Sequence, residues 1–123
     1  MEQQDWLNEL FRNIDAKDTA GFLSFLTSDA CFRFGNAPLL QGAQAIGEAV
    51  NAFFASIKTS QHRLLDTWSI DDTVICQGEV SYTRKDNSRL TLPFVNIFRM
   101  QGKHIDQYLI YVDVTPLYAP AVT

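Results

Sequence analysis

Residues 92–113 read LPFVNIFRMQGKHIDQYLIYVD, and this stretch decides the fold. Apolar and polar residues alternate on both sides of Gln101-Gly102-Lys103, which is typical of two strands joined by a tight turn. A period of two places successive side chains on opposite faces of a sheet. The stretch therefore predicts an antiparallel hairpin with a three-residue loop and Gly102 in the left-handed conformation. This loop places Tyr108 and Ile110 on the same face as Asn96.

Two further alternating runs precede this hairpin and extend it into a four-stranded antiparallel meander. Polar turns at 71–72 and 86–88 separate the runs and are short enough to force hairpins. Pro93 lacks an N–H for the ladder, so it predicts a bulge or a non-bonded position. The four runs cover residues 61–70, 73–85, 89–100 and 104–114.

The chain before residue 60 has helical periodicity instead. A first helix begins near Asp5, Asp18 caps a shorter second helix, and the spacing after Gly42 predicts a third. Residues 30–34 read as a short strand. The apolar faces of the helices contain Trp6, Leu7, Leu10, Phe11 and Ile14, then Phe22, Leu23 and Leu26, then Ile46, Ala49, Val50, Phe53, Phe54 and Ile57.

These elements predict one α+β domain over residues 1–115, followed by a C-terminal tail at 116–123. The N-terminal helices pack on the curved antiparallel sheet and enclose a pocket between the two layers. With 123 residues, 46% of them apolar, the chain has enough material for one such core.

The net charge of −4 argues against a nucleic-acid partner, which needs a basic surface. The polar, acidic start differs from a signal peptide, and no apolar run is long enough to span a membrane, so we expect a cytoplasmic protein without membrane contact. Cys31 and Cys76 stand apart from each other and from His, which indicates reduced packing residues. The sequence has no metal-binding or cofactor motif, and we expect neither metal nor cofactor.

The turn at 86–88 decides which side chains of the second run face the pocket. A two-residue turn places Glu79 opposite Asn96, on a face that also carries Gln77, Ser81, Phe94, Phe98, Tyr108 and Ile110. A three-residue turn or a bulge at Pro93 leaves Gln77 and Glu79 in water and buries Val74, Cys76, Val80 and Tyr82. Periodicity alone leaves both registers open.

Both faces of the predicted sheet are apolar, and the helices can cover only one. With the two-residue turn, the outer face carries Val95, Ile97, Leu109, Tyr111, Cys76, Val80 and Tyr82. Because monomers rarely expose contiguous apolar patches of this kind, we predict a homodimer through the outer sheet face.

The order of elements resembles the NTF2-like superfamily, and its SnoaL-like branch most closely. The resemblance rests on residues 13–18 (NIDAKD), 40–46 (LQGAQAI) and 92–113. It implies a cone-shaped fold around a pocket, a dimer, and functions that range from isomerases, cyclases and epoxide hydrolases to plain binding proteins. The family register favours Glu79 and Asn96 facing inward.

The resemblance also implies which chemistries are absent. The Tyr and general-base positions of ketosteroid isomerases match Leu10 and Phe34, and only their third position keeps a polar residue, Asn96. The last-strand Asp of limonene-type epoxide hydrolases matches Ile110, and its partners match Gln77 and Glu79. Neither catalytic set is complete.

Glu79 and Asn96 remain as candidate catalytic residues, with the carboxylate as proton carrier and the amide as hydrogen-bond donor. We expect either a SnoaL-like enzyme that performs acid–base chemistry on a small apolar molecule, or a non-catalytic binding or dimeric partner module. The ligand-pocket candidates are Phe22, Phe34, Phe53, Phe54, His62, Trp68, Gln77, Phe94, Phe98, Tyr108 and Ile110.

Overall fold

The structure, a computed structural model, describes residues 2–118 and the side chains from Asp5 onward. Helices and strands alternate in the first half, and strands alone fill most of the second. The elements are α1 (Glu2–Asp15), α2 (Thr19–Leu23), β1 (Leu26–Phe34), β2 (Leu40–Gln41), α3 (Ala43–Ser56), β3 (Thr59–Ile70), β4 (Thr73–Thr83), β5 (Arg89–Gln101), β6 (His104–Tyr111) and α4 (Thr115–Tyr118).

The strands form one curved six-stranded sheet in the order β2-β1-β6-β5-β4-β3. The meander β3 to β6 is antiparallel, as predicted, but β1 pairs with β6 in parallel, so the sheet is mixed. No short turn joins β1 to β6, and turn lengths therefore hold no information about this pairing. The α+β class and the packing of N-terminal helices on a curved sheet are confirmed.

The core lies between the inner sheet face and the helices. Trp6 of α1 contacts Phe98 with a ring-centroid distance of 5.5 Å, and Phe22 of α2 contacts Tyr108 at 5.6 Å. Phe53 of α3 contacts Tyr82 at 5.7 Å. Each of these three helices therefore inserts an aromatic ring against the sheet, and these contacts hold the two layers together.

The turn between β4 and β5 has three residues, so the inward orientation of Glu79 predicted from the family register is wrong. Arg84 N–H donates to Ser88 O at 2.7 Å, and Asn87 takes a left-handed φ of 74°. The Asp86 carboxylate accepts from Ser88 Oγ and Ser88 N–H, and these bonds lower the pKa of Asp86. Glu79 consequently pairs with Pro93, and Cys76 pairs with Asn96.

Pro93 lies in regular pairing with β4 opposite Glu79, so the bulge, one of the two alternatives predicted for this position, is absent. Bulges occur instead in β3, between Leu64 and Asp66, and in β5, between Arg99 and Met100. The bulge in β3 shifts the following side chains by one position and directs Trp68 to the outer face, opposite Ile75.

The last hairpin has the predicted faces, but the three-residue loop is wrong. Gln101 pairs with His104, so the turn has two residues, and the bulge between Arg99 and Met100 returns Tyr108 and Ile110 to the predicted face. Gly102 has a φ of 64°, and Tyr108 and Ile110 share the inner face with Asn96. In the first half, Asp18 caps α2 by accepting from Gly21 N–H at 2.9 Å. This helix ends at Leu23, however, and β1 begins at Leu26, four residues before the predicted strand.

The first residues of the predicted C-terminal tail, 116–118, form regular structure. Residues 115–118 form one helical turn, and Leu117 is buried in the core. Residues 119–123 of the predicted tail lie outside the described residues. None of the helices described here is long and apolar enough to cross a membrane.

Candidate functional site

A cavity of about 300 Å³ lies between the inner sheet face, α1, α3 and the C-terminal segment. This volume is at the lower end of the range for ligand pockets. Its walls are mostly aromatic and aliphatic, and no Lys, Arg, Asp or Glu among the described residues lines it. The lining comprises Phe11, Ile14, Phe22, Phe32, Phe34, Asn36, Ala37, Pro38, Leu40, Ala49, Val50, Phe53, Phe54, His62, Val80, Tyr82, Phe94, Asn96, Tyr108, Ile110, Val112, Val114 and Tyr118.

His62 is the only imidazole in this lining, and Asp15 at the end of α1 holds it in place. The distance from His62 Nδ1 to Asp15 Oδ1 is 2.6 Å, and the backbone N–H of His62 donates to Asp15 Oδ2 at 2.9 Å. Ser60 Oγ donates to the same carboxylate at 2.8 Å. The imidazole ring packs against Phe11 and Phe94, with centroid distances of 4.8 and 5.5 Å.

This geometry fixes the role of each ring nitrogen. A carboxylate accepts the Nδ1 proton, so the lone pair of the neutral ring is on Nε2. No described residue forms a hydrogen bond with Nε2, which leaves it available to a ligand. An oriented imidazole beside an apolar cavity is suited to general acid–base chemistry.

Two more polar groups lie deeper in the cavity without protein partners. Asn96 is 2% exposed and Tyr108 is fully buried. Asn96 Oδ1 and the Tyr108 hydroxyl accept or donate no hydrogen bond among the described residues. An unpaired buried polar group costs about 1–3 kcal/mol of folding free energy, so two such groups in one cavity are unusual.

Burial also keeps two tyrosine side chains of the cavity neutral, those of Tyr82 and Tyr108. Desolvation raises the pKa of Tyr82 and of Tyr108 well above the usual tyrosine range. Cys76, on the same face, has its pKa raised to about 12 for the same reason. These groups therefore act as hydrogen-bonding or packing groups near neutral pH, and not as anions.

The cavity is closed at one end by residues 114–118, named here the closing segment. Val114 and Tyr118 line the cavity. Arg84 donates to the backbone oxygens of Pro116 at 2.8 Å and Leu117 at 3.1 Å. Tyr118 also bonds to Ser56 Oγ of α3 at 2.9 Å. The closing segment is thus attached to both layers of the fold.

The structure brings most of the predicted pocket residues together. Phe98 faces inward but lies under α1, away from the cavity. Trp68 lies on the outer face because of the bulge in β3, and Gln77 lies there because of the three-residue turn between β4 and β5. The predicted residues that line the cavity are Phe22, Phe34, Phe53, Phe54, His62, Phe94, Asn96, Tyr108 and Ile110.

Glu79 lies outside the cavity. Its side chain is 43% exposed on the outer face and forms an ion pair with Arg63, with Nη2 3.3 Å from Oε1. The geometry therefore gives no support to Glu79 as the proton carrier. Among the described residues, no cluster of His, Cys, Asp and Glu is arranged to hold a metal ion.

The sequence profile of the SnoaL-like domain matches residues 7–108, most of the chain. The chain belongs to the SnoaL-like domain family. No curated protein matches it. This SnoaL-like domain is similar in structure to an NTF2-like protein of unknown function from Burkholderia pseudomallei K96243, with a TM-score of 0.84 and 13% identity over 95% of each chain.

Two further solved structures have the same fold. A putative polyketide cyclase from Xanthomonas campestris pv. campestris has a TM-score of 0.83 and 15% identity, over 93% of this chain and 92% of that one. An LEH-like epoxide hydrolase from M. tuberculosis has a TM-score of 0.74 and 10% identity, over 88% and 80%. At these identities the similarity establishes the fold of the SnoaL-like domain and leaves its chemistry open.

Sequence reasoning missed Asp15 as a site residue of this SnoaL-like domain. It is 47 residues from His62, and nothing in their spacing predicts the contact. One signal was present: Asp15 is the last residue of α1, where a negative charge opposes the helix dipole. A carboxylate in that unfavourable position indicates another role, here the orientation of His62.

Proposed function

We propose that this SnoaL-like domain binds a small, mostly apolar molecule in its cavity and transfers a proton to or from it through His62, with Asp15 as the positioning residue. The observation that carries the proposal is the 2.6 Å contact between Asp15 Oδ1 and His62 Nδ1 at the wall of an otherwise apolar cavity. Low polarity around a base strengthens its interactions with a reacting group.

The position of His62 also gives it access to solvent protons. Its side chain lines the cavity and, with Asp15, Ser60 and Arg12, a shallow surface cleft on the other side. The imidazole forms part of the wall between the apolar cavity and the solvent-facing carboxylate.

5-Nitrobenzisoxazole tests the proposal because it is small, neutral and planar. Removal of its ring C–H proton by Nε2 breaks the N–O bond, and the electron pair ends on a phenolate oxygen whose absorbance reports the rate. We expect the wild type to exceed free imidazole at equal concentration, and His62→Gln to lower the rate roughly a hundredfold. Equal rates for the wild type and His62→Gln would refute the proposal.

Two further variants distinguish Asp15 from the predicted acid Glu79. Asp15→Asn should lower the rate because an amide donor at Nδ1 moves the imidazole proton to Nε2 and removes the lone pair there. Glu79→Gln is the matched control, since its side chain lies on the outer face beside Arg63. It should retain the wild-type rate, and a loss of rate in this variant would return Glu79 to the site.

A binding module without chemistry is the second candidate, and three apolar residues favour it. Leu10, Phe34 and Ile110 occupy positions that carry catalytic groups in the ketosteroid isomerases and epoxide hydrolases that the sequence resembles. In this protein Leu10 is buried in the core, and Phe34 and Ile110 line the cavity. Ligand binding without any His62-dependent proton transfer would support this function over the first.

The outer sheet face supports a homodimer as part of the same proposal. Trp68, Ile75, Ile97 and Leu109 are direct neighbours across four strands and form one apolar row. Trp68 is half exposed in the single chain. A second copy would cover this row. The cytoplasmic location stays a prediction.

A further inference from the structure

The polar groups at the deep end of the cavity indicate what chemistry its ligand carries. Asn96 and Tyr108 both line the cavity, and their Oδ1 and hydroxyl atoms are buried without a hydrogen-bond partner among the described residues. Native proteins pair almost all such groups. Two unpaired groups on residues that line the same cavity therefore point to a ligand that pairs them.

The two groups are close enough to act on one part of a ligand. Asn96 pairs with Ile110 and Phe98 pairs with Tyr108, so Asn96 and Tyr108 are diagonal neighbours on the inner face. Such positions are roughly 7–8 Å apart at their Cα atoms. Cys76, which pairs with Asn96, is also among the groups that influence the Tyr108 hydroxyl electrostatically.

Their hydrogen-bonding capacities are complementary to a hydroxyl group. Asn96 Oδ1 only accepts, so it requires a donor, whereas the neutral Tyr108 hydroxyl can donate to an oxygen. An alcohol or phenol oxygen provides both the donor and the acceptor. A ketone or ether would satisfy Tyr108 and leave Asn96 unpaired.

The lining around Asn96 and Tyr108 disfavours a charged group at this end of the ligand. Among the described residues, no Lys or Arg of the lining can pair there with a carboxylate or phosphate, no Asp or Glu can pair with an ammonium group, and His62 lies at the other end. A charge at this end would remain unpaired and poorly solvated. The ligand is therefore neutral at this end, and most of its surface meets Phe and aliphatic side chains.

We propose that the cavity selects neutral, mostly apolar molecules that carry a hydroxyl group, which binds between Asn96 Oδ1 and the Tyr108 hydroxyl. This inference rests on the proposed function only in placing the ligand in this cavity. The hydroxyl site also orients the ligand, because Phe94 separates it from His62. The Phe94 ring contacts the His62 ring, and Asn96 lies two residues further along β5 on the same face. The hydroxyl end lies at Asn96, and the opposite end faces His62.

Four compounds of nearly equal size test this selectivity in the full-length protein by calorimetric titration. They are 4-ethylphenol, 4-ethylanisole, 4-ethyltoluene and 4-ethylbenzoate. We expect 4-ethylphenol to bind about tenfold or more tightly than 4-ethyltoluene, since only the phenol pairs both polar groups. We expect 4-ethylbenzoate to bind most weakly. Equal affinities for the phenol and the hydrocarbon, tightest binding of the benzoate, or no binding of any compound would overturn the proposal.

Two near-isosteric variants locate the selectivity. Asn96→Leu and Tyr108→Phe should each reduce the preference for 4-ethylphenol over 4-ethyltoluene about tenfold. Both should keep or raise the melting temperature, because each removes an unpaired buried polar group. Gln77→Leu is the matched control, since it makes the same change on the outer face and should retain the preference. An unchanged preference in both inner-face variants would refute the assignment.

His62→Gln separates this inference from the proposed function. The variant should lose proton abstraction and keep the preference for 4-ethylphenol, because His62 is at the other end of the cavity. Selective binding without proton transfer in the wild type would refute catalysis and support the ligand class. Proton transfer without selectivity for the hydroxyl would support catalysis and refute the ligand class.

Discussion

Burial controls the chemical behaviour of single residues on the inner sheet face. Cys76 is fully buried between strands, and desolvation raises the pKa of its thiol to about 12. Cys31 lies on β1 and is partly exposed. Because the thiolate is the form that reacts with alkylating agents, the two cysteines should differ in reactivity although both are free.

We expect iodoacetamide at pH 8 to modify no more than one thiol of the folded protein, Cys31. Cys76 should not react because its pKa is raised. At pH values below about 12, its thiol stays protonated in the folded state. Intact-mass measurement counts the adducts, and both thiols should react in guanidinium chloride. The Cys31→Ser variant is the control and should take up no label while folded. A native doubly labelled protein would contradict the burial of Cys76.

Whether a strand residue was assigned to the correct sheet face depended on the lengths of the turns and on the bulges around it. Asn96, Tyr108 and Ile110 belong to the last hairpin, where the turn is one residue shorter than predicted and the bulge in β5 adds one residue, so that the two differences cancel and the predicted faces remain. Glu79 was misplaced because a turn of three residues instead of two reverses the face of every side chain on β4. Trp68 was misplaced for the same physical reason, since the bulge in β3 adds one residue.

At the level of elements, local patterns predicted more than long-range pairings. The three helices, the four alternating runs and the Asp18 cap are all visible in spacing and turn residues. The parallel pairing of β1 with β6 is not, because it joins parts of the chain that lie far apart in sequence. The Asp15–His62 contact depends on the same tertiary arrangement, which places the end of α1 against β3.

The attachment of the closing segment can be tested by a single substitution, because one side chain, Arg84, forms several of its hydrogen bonds. Arg84 donates to Pro116 O, Leu117 O and Ser88 Oγ. Replacement by Gln removes the guanidinium fork and should cost about 1–2 kcal/mol of unfolding free energy. We expect faster amide hydrogen exchange in residues 114–118 and faster ligand entry, since Tyr118 lines the cavity.

Exchange measured by mass spectrometry on the peptides that contain residues 114–118 checks this expectation. Lys85→Gln is the control, because Lys85 is the exposed neighbour of Arg84 in the same turn. It should exchange like the wild type. If Arg84→Gln left exchange of the closing segment unchanged, the buried Leu117 side chain and the Ser56–Tyr118 bond would be sufficient to hold it.

At the scale of the whole molecule, the two sheet faces have different roles. The inner face holds the cavity, and its aromatic residues meet the helices. The outer face has no element of the described chain packed on it and carries an apolar row through Ile75, Ile97 and Leu109. Beside this row, the Arg33 guanidinium bonds to the Tyr111 hydroxyl at 3.3 Å and lies over its ring.

A charged substitution in the middle of the apolar row tests the homodimer prediction. Ile97 pairs with Ile75 on one side and Leu109 on the other, so Ile97→Lys would bring two ammonium groups into a dimer interface without a paired carboxylate. We expect the wild type to sediment as a dimer of 13.9 kDa chains, and Ile97→Lys to sediment as a monomer with an unchanged far-UV circular dichroism spectrum. Lys103→Glu, at the exposed hairpin turn, should remain dimeric. A monomeric wild type at high micromolar concentration would show that the outer face stays uncovered, and the apolar row would then need another partner.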